Sequence, residues 1–71
     1  MKSFETESGS IYYVRKDAFG QTWIKGGNII KEEKPVTKII SIIGEPAFLY
    51  MLTGEVIKTS PVKRYLSLAA I

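Results

Sequence analysis

The sequence predicts a mainly β protein, a small antiparallel barrel or roll of five to six short strands. Two apolar runs in the segment 36–52 are separated by Gly44-Glu45-Pro46, and β-branched and aromatic residues dominate them. The first run places Val36, Ile40 and Ile42 on one face of a strand. Turn residues recur along the chain at intervals typical of a small barrel. We therefore expect a central pair of strands around which the other elements pack.

The N-terminal part supplies a predicted hairpin and a third strand. Residues 1–7 are mostly polar and contain one aromatic residue, Phe4, which predicts a short edge strand anchored in the core by that ring. After a glycine-containing turn, IYYVRK at 11–16 alternates as a strand. A second turn at 17–20 leads to the short strand QTWIK at 21–25, which holds the only tryptophan.

In the segment 26–35 the hydrophobic residues do not recur at the spacing of a strand or of a helix. Its charge run Lys31-Glu32-Glu33-Lys34 is nearly neutral overall, which predicts a solvated loop tip, with a binding loop as the alternative. Ile29 and Ile30 are expected to fold back onto the core, because isoleucine is mostly buried.

The C-terminal part leaves two structures open. After a hairpin turn at Thr53-Gly54, EVIKTS at 55–60 resumes the alternation of a strand. Ser60 and Pro61 form a good helix start, with Ser60 as the N-cap and Pro61 at the first helical position. The other reading is a kink or bulge at Pro61 followed by a closing strand. We favour the strand, because it covers an edge that a small sheet cannot leave open.

Length and composition restrict the class of protein. The 71 residues are predicted to form a single domain, 1–71, with room for one core only. The chain has neither cysteine nor histidine, so disulfides and the usual zinc ligands are excluded, and we expect no metal and no cofactor. The net charge of +3 is compatible with an acidic partner. No segment is long and apolar enough for a signal peptide or a membrane span, so we expect a cytoplasmic protein without membrane contact.

Three short motifs carry a resemblance. The opening Ser8-Gly9-Ser10 with Ile11-Tyr12, the Gly44-Glu45-Pro46 turn, and the ending Thr59-Ser60-Pro61-Val62 span most of the chain. The sequence thereby resembles a class of very small phage and bacterial proteins with an SGS-x-Y opening and a T-[ST]-P-V ending. The resemblance implies a small β fold, a final strand or bulge at Pro61 and a phage setting, which would place the protein in the host cytoplasm. It implies no activity.

The inventory of reactive groups predicts a protein that is not an enzyme. Histidine and cysteine are absent, and the carboxylates fall mostly in predicted turns or tails. Glu5 and Glu7 share a strand face, but solvated edge charges explain them better than a catalytic pair. Gly26-Gly27 lacks the spacing and the lysine of a phosphate-binding loop.

Aromatic and basic residues are interleaved in the sequence, a pattern typical of proteins that bind single-stranded nucleic acids. The alternative is that most of the rings fill the core, since a small domain needs large side chains there. Alternation along the second strand turns either Tyr12 or Tyr13 outward. The candidate binding residues are Tyr13, Arg15, Lys16, Trp23, Lys25, Lys58, Lys63 and Arg64.

Two functions from different classes follow. The favoured hypothesis is a protein-interaction module, such as a phage-encoded accessory protein that docks on a host protein or associates with its own copy through an edge strand. The alternative is a small-barrel protein that binds single-stranded nucleic acid, with Tyr13, Arg15, Lys16 and Trp23 as a stacking platform.

Overall fold

The strands of the protein form one closed antiparallel sheet in which each strand pairs with its neighbours in sequence and the last pairs with the first. The structure is a computed structural model that describes residues 3–66. No helix occurs within that range. The strands are β1 (Ser3–Thr6), β2 (Ile11–Lys16), β3 (Thr22–Gly26), β4 (Ile30–Ile40), β5 (Pro46–Met51) and β6 (Val56–Leu66). The predicted small barrel is therefore confirmed.

The barrel closes through the strand that follows Pro61. Ser3 is in register with Leu66, and Glu5 is in register with Arg64. β5 pairs with β6 as far as Pro61, and β1 pairs with it from Val62 to Leu66. A helix at this place would leave the edge of β1 uncovered. The helical alternative is therefore wrong for residues 61–66, and residues 67–71 lie outside the described range.

The core is built from the inward side of every strand. Phe4 is fully buried, as predicted, and its ring stacks on Tyr12 with centroids 5.2 Å apart. The polar side chains that enter the core are bonded: the Ala47 N–H donates to Thr59 Oγ1 (3.1 Å). The buried apolar residues are Phe4, Tyr12, Ile24, Ile30, Val36, Ala47, Leu49, Met51 and Val62.

The predicted loop tip at residues 31–34 is wrong, because these residues belong to β4. Their charges do not prevent pairing, since strand propensity gives way to tertiary context. Lys34 is in register with Ile24 of β3. Of the two isoleucines expected on the core, Ile30 is buried, whereas Ile29 is 57% exposed. Ile42 lies beyond the end of β4, not within a central strand, and is exposed.

Gly26, at the end of β3, allows a sharp change of backbone direction where β3 pairs with the start of β4; we call this position the Gly26 corner. Gly26 has φ +144°, and a Cβ there would lie 2.0 Å from the Ile11 carbonyl oxygen of β2. The register of β3 with β4 shifts at this point: Ile24 matches Lys34, but Gly26 matches Ile30. Two residues of β3 thus span the same interval as four residues of β4, which is a bulge on β4.

The other side of β4 is paired over only part of its length. β5 is in register with β4 from Val36 to Ile40, and the Leu52 N–H donates to the Pro35 carbonyl just beyond (3.1 Å). Of the remaining residues, 30–34, Ile30 and Lys34 are in register with β3, and none of the five is in register with β5 within the described part of the chain. We call the unpaired side of residues 30–34 the open edge of β4.

Candidate binding surfaces

Four of the predicted binding residues form one surface on the outside of β2 and β3. Tyr13 is directly opposite Lys25, and Arg15 is directly opposite Trp23. Alternation turns Tyr12 into the core and leaves Tyr13 49% exposed, as expected for one member of the pair. We call Tyr13, Arg15, Trp23 and Lys25 the β2–β3 face.

Two of the four side chains of the β2–β3 face, Arg15 and Trp23, bond to carboxylates of the chain. The Arg15 guanidinium lies 5.6 Å from the centroid of the Trp23 ring, and its Nη2 donates to Glu33 Oε1 (2.9 Å). The Trp23 indole N–H donates to Asp17 Oδ2 (2.9 Å). The Arg15 Nε also donates to Glu33 Oε2, so the Arg15–Glu33 pair is bidentate, while the separate bond to Asp17 holds the Trp23 ring.

The pKa values on this face follow from the same contacts. The hydrogen bond from Trp23, with further bonds from the backbone of Gln21 and Phe19, lowers the pKa of Asp17. Hydrogen bonding to Arg15 lowers the pKa of Glu33, and the same bond raises the pKa of Arg15. Both carboxylates are therefore charged at neutral pH, and they place two negative charges beside the predicted stacking platform.

A nucleic acid that bound the β2–β3 face would meet the carboxylates of Asp17 and Glu33. A polyanion would have to displace Glu33 from Arg15 and approach Asp17, and like charges repel. Sequence reasoning missed Glu33 because its segment was expected to be a loop. Through these contacts the side chains of Arg15, Trp23, Asp17 and Glu33 form one cluster that connects β2, β3 and β4.

The remaining predicted residues do not join that face. Lys16 ends β2 and is in register with Thr22. Lys58, Lys63 and Arg64 lie on β6, which is separated from β2 by β1. Arg64 forms an ion pair with Glu5 of β1, with 3.0 Å between Nε and Oε1. Lys58 and Lys63 are five residues apart on a strand, about 17 Å, so they do not form one cluster.

A groove adjoins the open edge of β4. It has a volume of about 290 Å³ and lies between the start of β4 and the hairpin that joins β5 to β6. Its lining combines apolar side chains with the polar side chains of Lys34, Thr53 and Glu55. No pattern in the sequence indicated this groove, because half of its lining comes from the segment 26–35, where hydrophobic residues do not recur regularly. The lining residues are Ile29, Ile30, Lys34, Pro35, Met51, Thr53, Glu55 and Ile57.

The described residues contain no group of three or more His, Cys, Asp or Glu side chains that could hold a metal ion. Within the same range, no helix is long and apolar enough to cross a membrane. Comparison of the chain with protein-family models, with curated proteins and with solved structures found no match in any of the three.

Proposed function

We propose that this small barrel is a non-enzymatic protein-interaction module, which binds an extended segment of a partner protein as an added strand on the open edge of β4. The observation that carries the proposal is that Ile30 and Lys34 are in register with β3, that no residue of 30–34 is in register with β5, and that a groove with several apolar lining residues lies beside this segment. Strand addition uses the backbone groups that such an edge leaves available.

The dimensions of the site fit a short peptide. The segment from Ile30 to Lys34 covers two residue steps of β3, about 7 Å, which leaves room for one or two main-chain hydrogen bonds. The groove's volume of about 290 Å³ is at the lower limit of ligand pockets, so it suits one or two apolar side chains better than a cofactor. Main-chain bonding would supply affinity, and the side chain that enters the groove would supply specificity.

The charges of the edge argue for a selective partner. Lys31, Glu32, Glu33 and Lys34 are all exposed, and charged side chains on an edge strand oppose indiscriminate pairing. Glu33 is held by Arg15, so Lys31, Glu32 and Lys34 remain to contact a partner. A segment with an apolar residue flanked by charges of both signs would complement this edge and the groove.

The partner we propose is a different protein, such as a host protein in the host cytoplasm if the chain is a phage-encoded accessory factor. A second copy of the chain is the competing occupant, and the experiment separates the two. Sedimentation velocity over a wide concentration range measures self-association, and a displayed library of linear peptides measures recognition of another chain.

The matched variants are Ile29→Lys and Ile42→Lys. Both side chains are exposed to a similar extent, 57% and 53%, and both substitutions replace an apolar group by the same charge. Only Ile29 lines the groove. We expect peptides selected on the natural protein to lose at least tenfold in affinity for Ile29→Lys and to bind Ile42→Lys unchanged.

Two results would overturn strand addition by another protein. One is that the library yields no peptide whose binding distinguishes the two variants. The other is a stable dimer of the natural protein that Ile29→Lys converts to a monomer, because the edge would then be occupied by the protein's own copy.

A further inference from the structure

A second surface of different chemistry lies on the outside of β4, β5 and β6. The burial of β5 alternates strictly: Ala47, Leu49 and Met51 are buried, and the residues between them are half-buried and face outward. The register then brings the outward residues of all three strands into two adjacent rows. One row is Lys38, Tyr50 and Val56, and the other is Ile40, Phe48 and Lys58, which we together call the β5 face.

From this face we infer a binding site for single-stranded nucleic acid, with bases stacked on Tyr50 and Phe48 and phosphates contacted by Lys38 and Lys58. The two rings are two residues apart on one strand, about 7 Å, so each can receive a base. The Lys38 ammonium lies 5.9 Å from the centroid of the Tyr50 ring, which shows that cation and ring share the surface. Lys58 is in register with Phe48 in the other row.

The electrostatics of the β5 face contrast with those of the β2–β3 face. No acidic residue occurs in β5, in β6 or in β4 after Glu33. Neither Lys38 nor Lys58 takes part in the two ion pairs found among residues 3–66. Glu45 and Glu55 precede β5 and β6 and do not belong to these strands. Two lysines outside these ion pairs, beside two half-buried rings, complement a chain of phosphates and bases, whereas a peptide offers no comparable run of charge.

The β5 face is also separate from the groove of the proposed function. Met51 and Ile57 point to the groove side of the β5–β6 hairpin, while Tyr50 and Val56 point to the opposite side. The two sites can therefore be occupied and tested independently.

The test is fluorescence anisotropy with a fluorescein-labelled oligothymidine of about 12 nucleotides, a length within the range that small barrels cover. We expect binding at low salt that weakens as salt is added. With two lysines on phosphates, the logarithm of the association constant should fall against the logarithm of salt concentration with a slope of about −1.4. Lys58→Gln should reduce that slope to about −0.7.

Matched variants separate this site from general attraction to a basic protein. Lys16→Gln removes the same charge from an exposed lysine on β2 and should change binding much less than Lys58→Gln does. Tyr50→Leu keeps an apolar side chain but removes the ring, and should weaken binding about tenfold or more, whereas Tyr50→Phe should bind as the natural protein does. Circular dichroism verifies that each variant is folded.

Three outcomes would overturn the inference. These are no change of anisotropy at low salt, equal weakening by Lys16→Gln and Lys58→Gln, and equal affinity for a duplex of the same length. The groove variant Ile29→Lys adds a positive charge away from the face, and it should leave the effect of Tyr50→Leu unchanged. Loss of strand addition and loss of oligonucleotide binding are thus distinguished by which variant abolishes which activity.

Discussion

Replacing Gly26 by alanine should force β3 away from β2 at the point where β3 meets the start of β4. A Cβ at this position would lie 2.0 Å from the Ile11 carbonyl oxygen and 2.8 Å from the Tyr12 Cα, both of which are backbone atoms of β2. Backbone in a paired strand cannot rotate away as a side chain can, so β2 and β3 must separate locally. Gly54 supplies the control: its φ is also positive, at +96°, but nothing lies within 4 Å of a Cβ built there.

Comparing the two glycine variants separates the cost of a positive φ from the cost of the steric clash with β2. Gly54→Ala should cost only the strain of a positive φ, about 1 kcal/mol. Gly26→Ala adds the separation of the strands and the loss of the bond from the Gly27 N–H to the Ile11 carbonyl, which brings the total to about 3 kcal/mol or more. A chain of 71 residues has a free energy of unfolding of about 4–10 kcal/mol, so the corner variant should be close to the limit of folding.

The assay is urea unfolding followed by the fluorescence of Trp23, the only tryptophan, and by circular dichroism. For a slope of about 1 kcal/mol per molar urea, the midpoint should fall by about 1 M in Gly54→Ala and by about 3 M in Gly26→Ala. Equal shifts in the two variants would refute the steric account of the corner. A Gly26→Ala protein as stable as the natural one would refute the placement of β2 against β3.

Three further predictions concern stability. Thr59→Val should destabilise the protein by about 1–3 kcal/mol in the same urea assay, because the buried N–H of Ala47 loses its acceptor, whereas Thr59→Ser should restore most of the loss. The hydrogen bond from Trp23 lowers the pKa of Asp17. The stabilisation that this carboxylate contributes is therefore present above the ordinary carboxyl pKa and is lost as the pH falls through the lowered pKa of the folded state. The urea midpoint of Asp17→Asn should consequently fall less on acidification than the midpoint of the natural protein does. Leu49→Ala should cost about 2–5 kcal/mol, since this side chain is fully buried, and a smaller loss in thermal unfolding would contradict the packing described for the core.

Alternation was sufficient to predict the strands whose two faces differ in polarity. IYYVRK and the apolar run after Gly44 became β2 and β5, and Phe4 became a core residue. The strand after Pro61 was predicted from the need to close an edge, and β6 does close it as far as Leu66. These features depend on local pattern or on a general property of small sheets.

The start of β4 could not be predicted in the same way. Its four consecutive charges carry no alternation, and their strand conformation comes from pairing with β3 across a bulge. The open edge and half of the groove's lining residues lie in or next to this segment, so the proposed binding site could not be predicted from the sequence either.

The β5 face was missed for a different reason. Lys38, Phe48 and Lys58 are far apart in sequence, and they meet only through the register of three strands. That register shifts between Val36 and Lys38 and again between Pro46 and Phe48. Each single-residue shift moves side chains to the other face of the sheet, so sequence spacing does not reveal which residues become neighbours. The β2–β3 pairing has no such shift, and there Tyr13, Arg15, Trp23 and Lys25 did form one surface.

Hydrogen exchange of the backbone amides of residues 31–34 tests the proposed function most directly, measured by nuclear magnetic resonance with and without a selected peptide. Strand addition predicts that amides on the open edge of β4 become strongly protected in the complex, while the amides of β2 keep their exchange rates. A peptide that binds tightly but leaves every one of these β4 amides exchanging as in the free protein would contradict the account.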